Sequence, residues 1–449
     1  MKKSSSLESG ASGRAAFFWD ESFLWGLMSY KALCANGLCF DLVRSDDIRE
    51  GGLNNHSMLF VPGGWASNKI KSLGDEGAAE IRMFVKNGGS YLGFCGGAGL
   101  ATLDGIGLLN VKRKPTKERV PSFSGRIRLN PGKHAIWKSL LVPPLLTPHS
   151  LPAFHAWWPS QFLVDGKNIK ILATYGEALA DSFSSDLNVG DTKANSNWAD
   201  LEEIYGINLN PGRLFNDPAV VEGMFGRGKV VLSLIHFDTP GDHDGQVVLR
   251  NIWEYLGGRR SLQNNTHRRK KEPAGPVGEA LIEAVSRHEA KVEELISLGM
   301  RNFLWFWRNP MLLQWRRGVR GLEYCTLYVM VKEIAGIVRT GVAAGDLGQR
   351  INHLGSLLNP FVDDAMRLLV MERLAMQNGH ITYEKCDDPE IKKIRKGLFS
   401  HSKSHGGLFK ELIDEIDGVL FSLLKPGLAQ SQHNCYKEPE SGVPKKAVE

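Results

Sequence analysis

Cys95 is the residue best placed to do chemistry, because an apolar run, Tyr91-Leu92-Gly93-Phe94, leads straight into it and Gly96-Gly97-Ala98-Gly99 follows. A strand that turns sharply into a helix needs small neighbours at the turn, and a nucleophile at its tip projects clear of the backbone. The helix that follows would set unpaired N–H groups near the sulfur and favour thiolate over thiol. Acyl transfer by a thiolate also requires a proton partner and donors for an oxyanion. Leu59-Phe60-Val61-Pro62-Gly63-Gly64 is an apolar strand ending in a turn one β-α unit earlier, so the N–H groups of Gly64 and Gly96 are the candidate donors. Val230 to Ile235 is a second buried-type strand, and it ends at His236-Phe237-Asp238. A histidine at a strand exit, with a carboxylate two residues on to orient it, is the candidate proton partner. Taken singly, a Pro-Gly-Gly turn and a strand-end histidine are ordinary structural features; their combination with the elbow points to a site.

Other residues could face the same pocket. Asp20 and Glu21 follow the first strand directly, Gly63 and Gly97 flank the two turns, and His155-Ala156-Trp157-Trp158 is unusually aromatic for a connecting segment. Trp157 and Trp158 would suit a flat or apolar ligand if they line the cleft, although a Trp pair is more commonly core.

To position these groups, the sequence must supply parallel strands. Ala15 to Trp19, Phe40 to Arg44, Met58 to Val61, Ser90 to Phe94, Ile169 to Thr174 and Lys229 to Ile235 read as strands, with helical stretches such as Phe23 to Ala35 and Asp75 to Asn87 between them. That alternation predicts an α/β domain over residues 14–258, a mainly parallel sheet with helices on both faces and its site at the strands' C-terminal ends. Residues 259–276 are basic and polar and read as a linker. Residues 277–425 read as an all-α bundle of four or five helices, in Val277 to Leu298, Met311 to Ala343, Asp346 to Asn378, and Pro389 to Leu424 with a break near 400–407. Residues 1–13 and 426–449 read as a disordered leader and tail.

A chain of 449 residues exceeds what one core usually supports, which agrees with two domains. Its 42% apolar and 23% charged residues are those of an ordinary globular protein. Six scattered cysteines form no C-x-x-C pair, and the N-terminus lacks an apolar signal core, so reduced thiols in the cytoplasm are expected. No apolar run is long enough to span a membrane. The net charge of +6 gathers partly in Arg259-Arg260 and His267 to Lys271, a solvated linker rather than a nucleic-acid site. Asp242-His243-Asp244 and the Asp363, Asp364, Glu372 group read as solvated side chains, so no metal and no cofactor is expected. Phe303 to Arg308 and Trp315-Arg316-Arg317 mix aromatic and basic residues as membrane-surface helices do, though packing against the other domain is their commoner fate.

Phe60-Val61-Pro62-Gly63-Gly64, Gly93 to Ala98, and Gly226 to Leu232 followed by His236 resemble the class I glutamine amidotransferase-like superfamily. Within it the chain is most similar to the domain at the N-terminus of some biotin-protein ligases. Gly107-Leu108-Leu109, the Asn130 to His134 turn with Ile136-Trp137, and Pro218 to Glu222 belong to the same likeness. It covers residues 14–258 and implies a flavodoxin-like sheet, a Cys95 nucleophile, Gly64 and Gly96 as oxyanion donors, and a His236–Asp238 pair. Self-association is a further expectation, since the superfamily often dimerises. Gly-Gly-Ala follows the cysteine where glutaminases carry Leu-Gly and a Gln or His, and the acid is Asp rather than Glu, so glutaminase activity is not implied. No biotinoyl-adenylate loop follows residue 258, so neither is ligase activity. Two readings follow: a cysteine-dependent hydrolase or amidotransferase-like enzyme acting on a small amide, ester or carbonyl compound, or a small-molecule-binding or assembly module that keeps the elbow for its geometry.

Overall fold

The computed structural model describes residues 14–140, 151–166, 168–257, 277–342, 345–379, 381–382, 386–401 and 404–425; the leader, the linker and the tail lie outside them. The first four strands are β1 (Ala15–Phe18), β2 (Phe40–Val43), β3 (Met58–Val61) and β4 (Ser90–Phe94), connected through α1 (Phe23–Ala35), α2 (Ser45–Arg49) and α3 (Ala66–Lys86). The elbow helix α4 (Gly96–Leu100) follows, then β5 (Val111–Arg113), β6 (Phe123–Pro131), β7 (Ala153–Trp157), β8 (Phe162–Val164), β9 (Lys170–Ala178), β10 (Phe183–Ser184) and β11 (Leu187–Asn188). After α5 (Val189–Asn195) and α6 (Trp198–Tyr205), β12 (Pro218–Phe225), β13 (Gly228–Ser233) and α7 (His243–Gly257) complete this part.

One eleven-stranded sheet runs β11-β10-β6-β9-β12-β13-β4-β3-β1-β2, with β7 on β6. Its half from β2 to β13 is parallel, in the order β2-β1-β3-β4-β13 of flavodoxin-like sheets. From β12 outward the sheet is antiparallel. The expected parallel sheet is therefore the half that carries the elbow, and the remainder is a meander that the β-α alternation did not announce. Parallel strands are covered on both faces, and β1, β3 and β4 accordingly read as unbroken buried runs.

The later residues form α8 (Glu279–Arg301), β14 (Trp305–Asn309), β15 (Leu312–Trp315), α9 (Gly321–Arg339), α10 (Leu347–Ala375), α11 (Pro389–Phe399) and α12 (Gly407–Leu424). Helices dominate here as expected, with one correction. The aromatic and basic stretches at 303–308 and 315–317 are not surface helices, and the helix expected from Met311 begins only at Gly321; β14 and β15 pair as an antiparallel hairpin instead. Among the described residues no helix is long and apolar enough to cross a membrane.

This helical region packs on the α/β part. Helix α1 is apolar almost all round because α9 covers the side away from the sheet, with Lys31 paired to Glu333 at 2.7 Å. At the end of β1, Trp19 Nε1 donates to Asp417 of α12 at 2.8 Å, and Arg44 pairs with the same carboxylate at 2.9 Å. Burial pushes the Asp417 carboxyl up to about 7 although Arg44 draws it down. The folded protein therefore binds that proton more tightly than the unfolded chain, and the resulting stability is complete below about pH 3.8 and lost as pH rises through 7. Asp417→Asn keeps the acceptor for Trp19 and removes the titration. Urea unfolding at pH 5 and pH 8 is expected to show the wild type losing about 2–4 kcal/mol more than the variant over that interval. Equal losses would show that Asp417 holds no proton in this interface.

Candidate functional site

Strand β4 delivers Cys95 to the edge of the sheet with φ +47° and ψ −102°, a backbone conformation costly for any residue with a side chain. Its N–H donates to the Ser233 carbonyl of β13 (2.8 Å), and its own carbonyl accepts from Gly99 one turn into α4 (2.9 Å). The neighbouring strand β3 brings the Pro62-Gly63-Gly64 turn alongside. Gly97 N–H donates to the Pro62 carbonyl at 3.1 Å, and a Cβ on Gly96 would sit 1.9 Å from the Gly64 carbonyl oxygen. Gly64 itself has φ +112°. Both turns can touch only because glycine occupies these positions. Among the described residues no acceptor takes the N–H of Gly64 or of Gly96.

The histidine arrives from β13. His236 N–H donates to the His155 carbonyl (2.8 Å), and its Nδ1 lies 3.0 Å from Asp238 Oδ1, with both side chains 1% exposed. The shorter acid thus still reaches the ring. The other oxygen of Asp238 accepts from the hydroxyl of Ser29, a residue of α1 that nothing in the sequence marks. Nε2 is buried and forms no hydrogen bond of ordinary geometry. Burial works against the imidazolium, but the charge and hydrogen bond of Asp238, reinforced by Cys95, raise its pKa to about 10. The Cys95 thiol is half-buried, with Sγ 3.9 Å from the Trp157 carbonyl.

The aromatic residues divide by role. Trp157 is core, with Nε1 donating to Thr239 Oγ1 (3.1 Å), and His155 stacks on it while Nδ1 pairs with Asp242 (2.8 Å). Trp158 is half-buried and lies between Trp25 of α1, edge-on at 6.0 Å, and Trp315 of the hairpin, stacked at 5.2 Å. Trp25 also covers the His236 ring at 5.1 Å. The helical region therefore supplies one wall near the site.

Asp20 and Glu21 stand at this edge, yet their carboxylates are occupied elsewhere. Asp20 accepts from Ser45 N–H (2.7 Å) and pairs with Arg44 (3.2 Å); Glu21 pairs with Lys410 of α12 (2.9 Å) and accepts from Asn68 (3.2 Å). What they surround is Lys69, fully buried, with Nζ 3.0 Å from the Asp20 carbonyl and bonded to Ser22 Oγ. Burial brings its ammonium down to about 7 against the charges of Glu21, Asp20, Asp417 and Cys95. A signal for Lys69 was present in the sequence, since it occupies the inward stripe of α3 with Leu73, Gly77, Ile81 and Val85.

Residues 45–104 match the protein-family model described as biotin-protein ligase, N terminal. No curated protein matches the chain. Among solved structures, a protein assigned as a GMP synthase component from Thermoplasma acidophilum is 13% identical over 56% of this chain and 97% of its own, with a TM-score of 0.35. A glutamine amidotransferase is 19% identical over 54% of this chain and 98% of its own (TM-score 0.33), and PurLQS from Thermotoga maritima is 16% identical over 54% and 98% (TM-score 0.34). The stretch similar to the biotin-protein ligase N-terminal family is the stretch that builds the elbow: it holds β3, the Pro62–Gly64 turn, β4 and Cys95, whereas His236, Asp238 and the helical region lie beyond it.

Proposed function

We propose that the chain is a cysteine-dependent hydrolase or acyl transferase of amidotransferase-like design, acting on a small amide, ester or related carbonyl compound. The observation that carries this reading is the orientation of His236. Its Nδ1 is tied to Asp238, and its Nε2 is buried without a hydrogen-bond partner beside the elbow cysteine. Cys95 is the nucleophile and His236 the proton carrier; Asp238 and Ser29 act through the ring as positioning residues. In the reaction the thiolate adds to the carbonyl carbon, and the oxyanion is met by Gly64 and Gly96 N–H. His236 then gives its proton to the departing amine or alcohol, leaving a thioester on Cys95. Water adds to that thioester, its proton passes to His236, and the acid leaves as the thiolate is regenerated.

Exposure of the full chain to a panel of p-nitrophenyl esters, followed by peptide mass mapping, tests this. Acylation at Cys95 that turns over in the wild type, and is absent in Cys95→Ala, is the expected result. If no ester leaves an adduct on Cys95 or is hydrolysed faster than by Cys95→Ala, the chain is a binding module instead.

A further inference from the structure

Two arginines beside the elbow have no counterpart in the chemistry described so far. Arg113, at the end of β5, extends over the elbow helix, where a Cβ on Gly99 would lie 3.0 Å from its Nη1. Arg119, six residues on, is half-buried and anchored by neutral groups only: Nη1 donates to Ser160 Oγ (2.8 Å) and Nη2 to Thr116 Oγ1 (2.7 Å). Ser160 lies three residues past Trp157, whose carbonyl faces the Cys95 sulfur. The Nε atoms of both arginines are buried without hydrogen-bond partners.

The nearby acids leave Arg119 without a counterion. Asp104 forms a long, exposed ion pair with Arg113 (3.8 Å), Asp217 pairs with Lys114 at 2.7 Å, and Glu118 is exposed; among the described residues none forms an ion pair with Arg119. Burial and the repulsion of Arg113 both lower the pKa of Arg119, and the charge that raises it is that of Cys95. Burying a guanidinium without a counterion is unfavourable, and a planar fork with free N–H groups suits an oxyanion.

Building on the proposed nucleophile, we propose that the substrate carries an anionic group, a carboxylate or a phosphate, which docks on Arg119 with Arg113 beside it and so holds the reacting carbon at Cys95. The site selects small anionic acyl compounds over neutral ones of the same shape.

Iodoacetate and iodoacetamide test this as an anion and its neutral analogue, since each transfers a CH2-linked group to sulfur with loss of iodide. Their rate ratio at Cys95 of the full chain is compared with that of a free small thiol at the same pH and salt. A ratio at least tenfold above the free thiol, saturating with iodoacetate and collapsing in Arg119→Gln, is expected. Arg119→Lys keeps the charge and is expected to retain part of the preference, which guards against a variant that merely misfolds. Protection by malonate assigns a carboxylate and protection by inorganic phosphate a phosphate; protection by neither overturns the proposal, as does a wild-type ratio equal to that of the free thiol. Should Cys95 react with neither reagent, the nucleophile reading fails, and calorimetric titration decides the anion site separately. Malonate or phosphate binding that Arg119→Gln weakens tenfold supports it, and no binding overturns it.

Discussion

Replacement of His236 by glutamine is expected to slow alkylation of Cys95 by iodoacetamide at pH 7 by at least about 10-fold, because it takes away a cation beside a sulfur that reacts as an anion. With a pKa raised to about 10, the wild-type ring is protonated throughout the neutral range and can serve as that cation. Asp238→Asn is expected to act in the same direction, since it removes the charge that chiefly supports the imidazolium. The same group contributes to folding with a definite sign. Its proton is held more tightly in the folded state, so the contribution is complete below the ordinary histidine value of 6.5 and lost as pH rises through about 10. The stability difference between wild type and His236→Gln should therefore be largest in mildly acidic buffer and narrow on the alkaline side. An alkylation rate indifferent to residue 236, measured by peptide mapping across pH 6–9, would separate the histidine from the thiol.

Gly96→Ala is expected to cost about 3 kcal/mol of stability and to abolish adduct formation at Cys95. The added methyl would meet the Gly64 carbonyl oxygen at 1.9 Å and its carbon at 2.6 Å, both backbone atoms that no rotamer change can move. Gly64 cannot retreat freely, because a Cβ there would already be 2.4 Å from the Glu21 carbonyl, so the chain on its far side is closely packed. The two turns must separate, and with them the two N–H groups proposed to receive the oxyanion. Urea midpoints and acylation rates measured together check this, and a variant equal to wild type in both would mean that the turns tolerate separation.

Much of the parallel half could be read in advance. Strands Met58–Val61 and Ser90–Phe94 and helix Phe23–Ala35 occupy the spans their patterns indicated, because buried runs of strand length are bounded by Gly, Pro or a change of period. Gly74, non-helical at φ +62° and ψ −177°, divides α3 into two helical pieces; the second starts at Asp75, where the sequence indicates a start, and the first, from Ala66, carries no such signal. The hairpin Trp305–Trp315 carries no clean strand alternation, so only its second strand falls inside the helix expected from Met311, while its aromatic and basic side chains do pack on the α/β part, Trp315 on Trp158 and Arg308 on Ser124. Its local signal was Asn309-Pro310 between two aromatic runs, a turn dipeptide. Cys95, His236 and Asp238 were legible because each ends a strand or lies just beyond one. Ser29, Trp25 and Arg119 were not, since a serine and a tryptophan inside an apolar helix, or an arginine in a loop, announce nothing until neighbouring elements are placed.

The hydrogen bond from Trp19 to Asp417 spans 398 positions, joining the end of β1 to α12. A ribosome adding about 5–20 residues per second needs roughly 20–80 s to travel that far. Throughout that interval an indole destined for complete burial lacks its acceptor. Docking of the helical region on this end of the sheet is thus held back until α12 has been made.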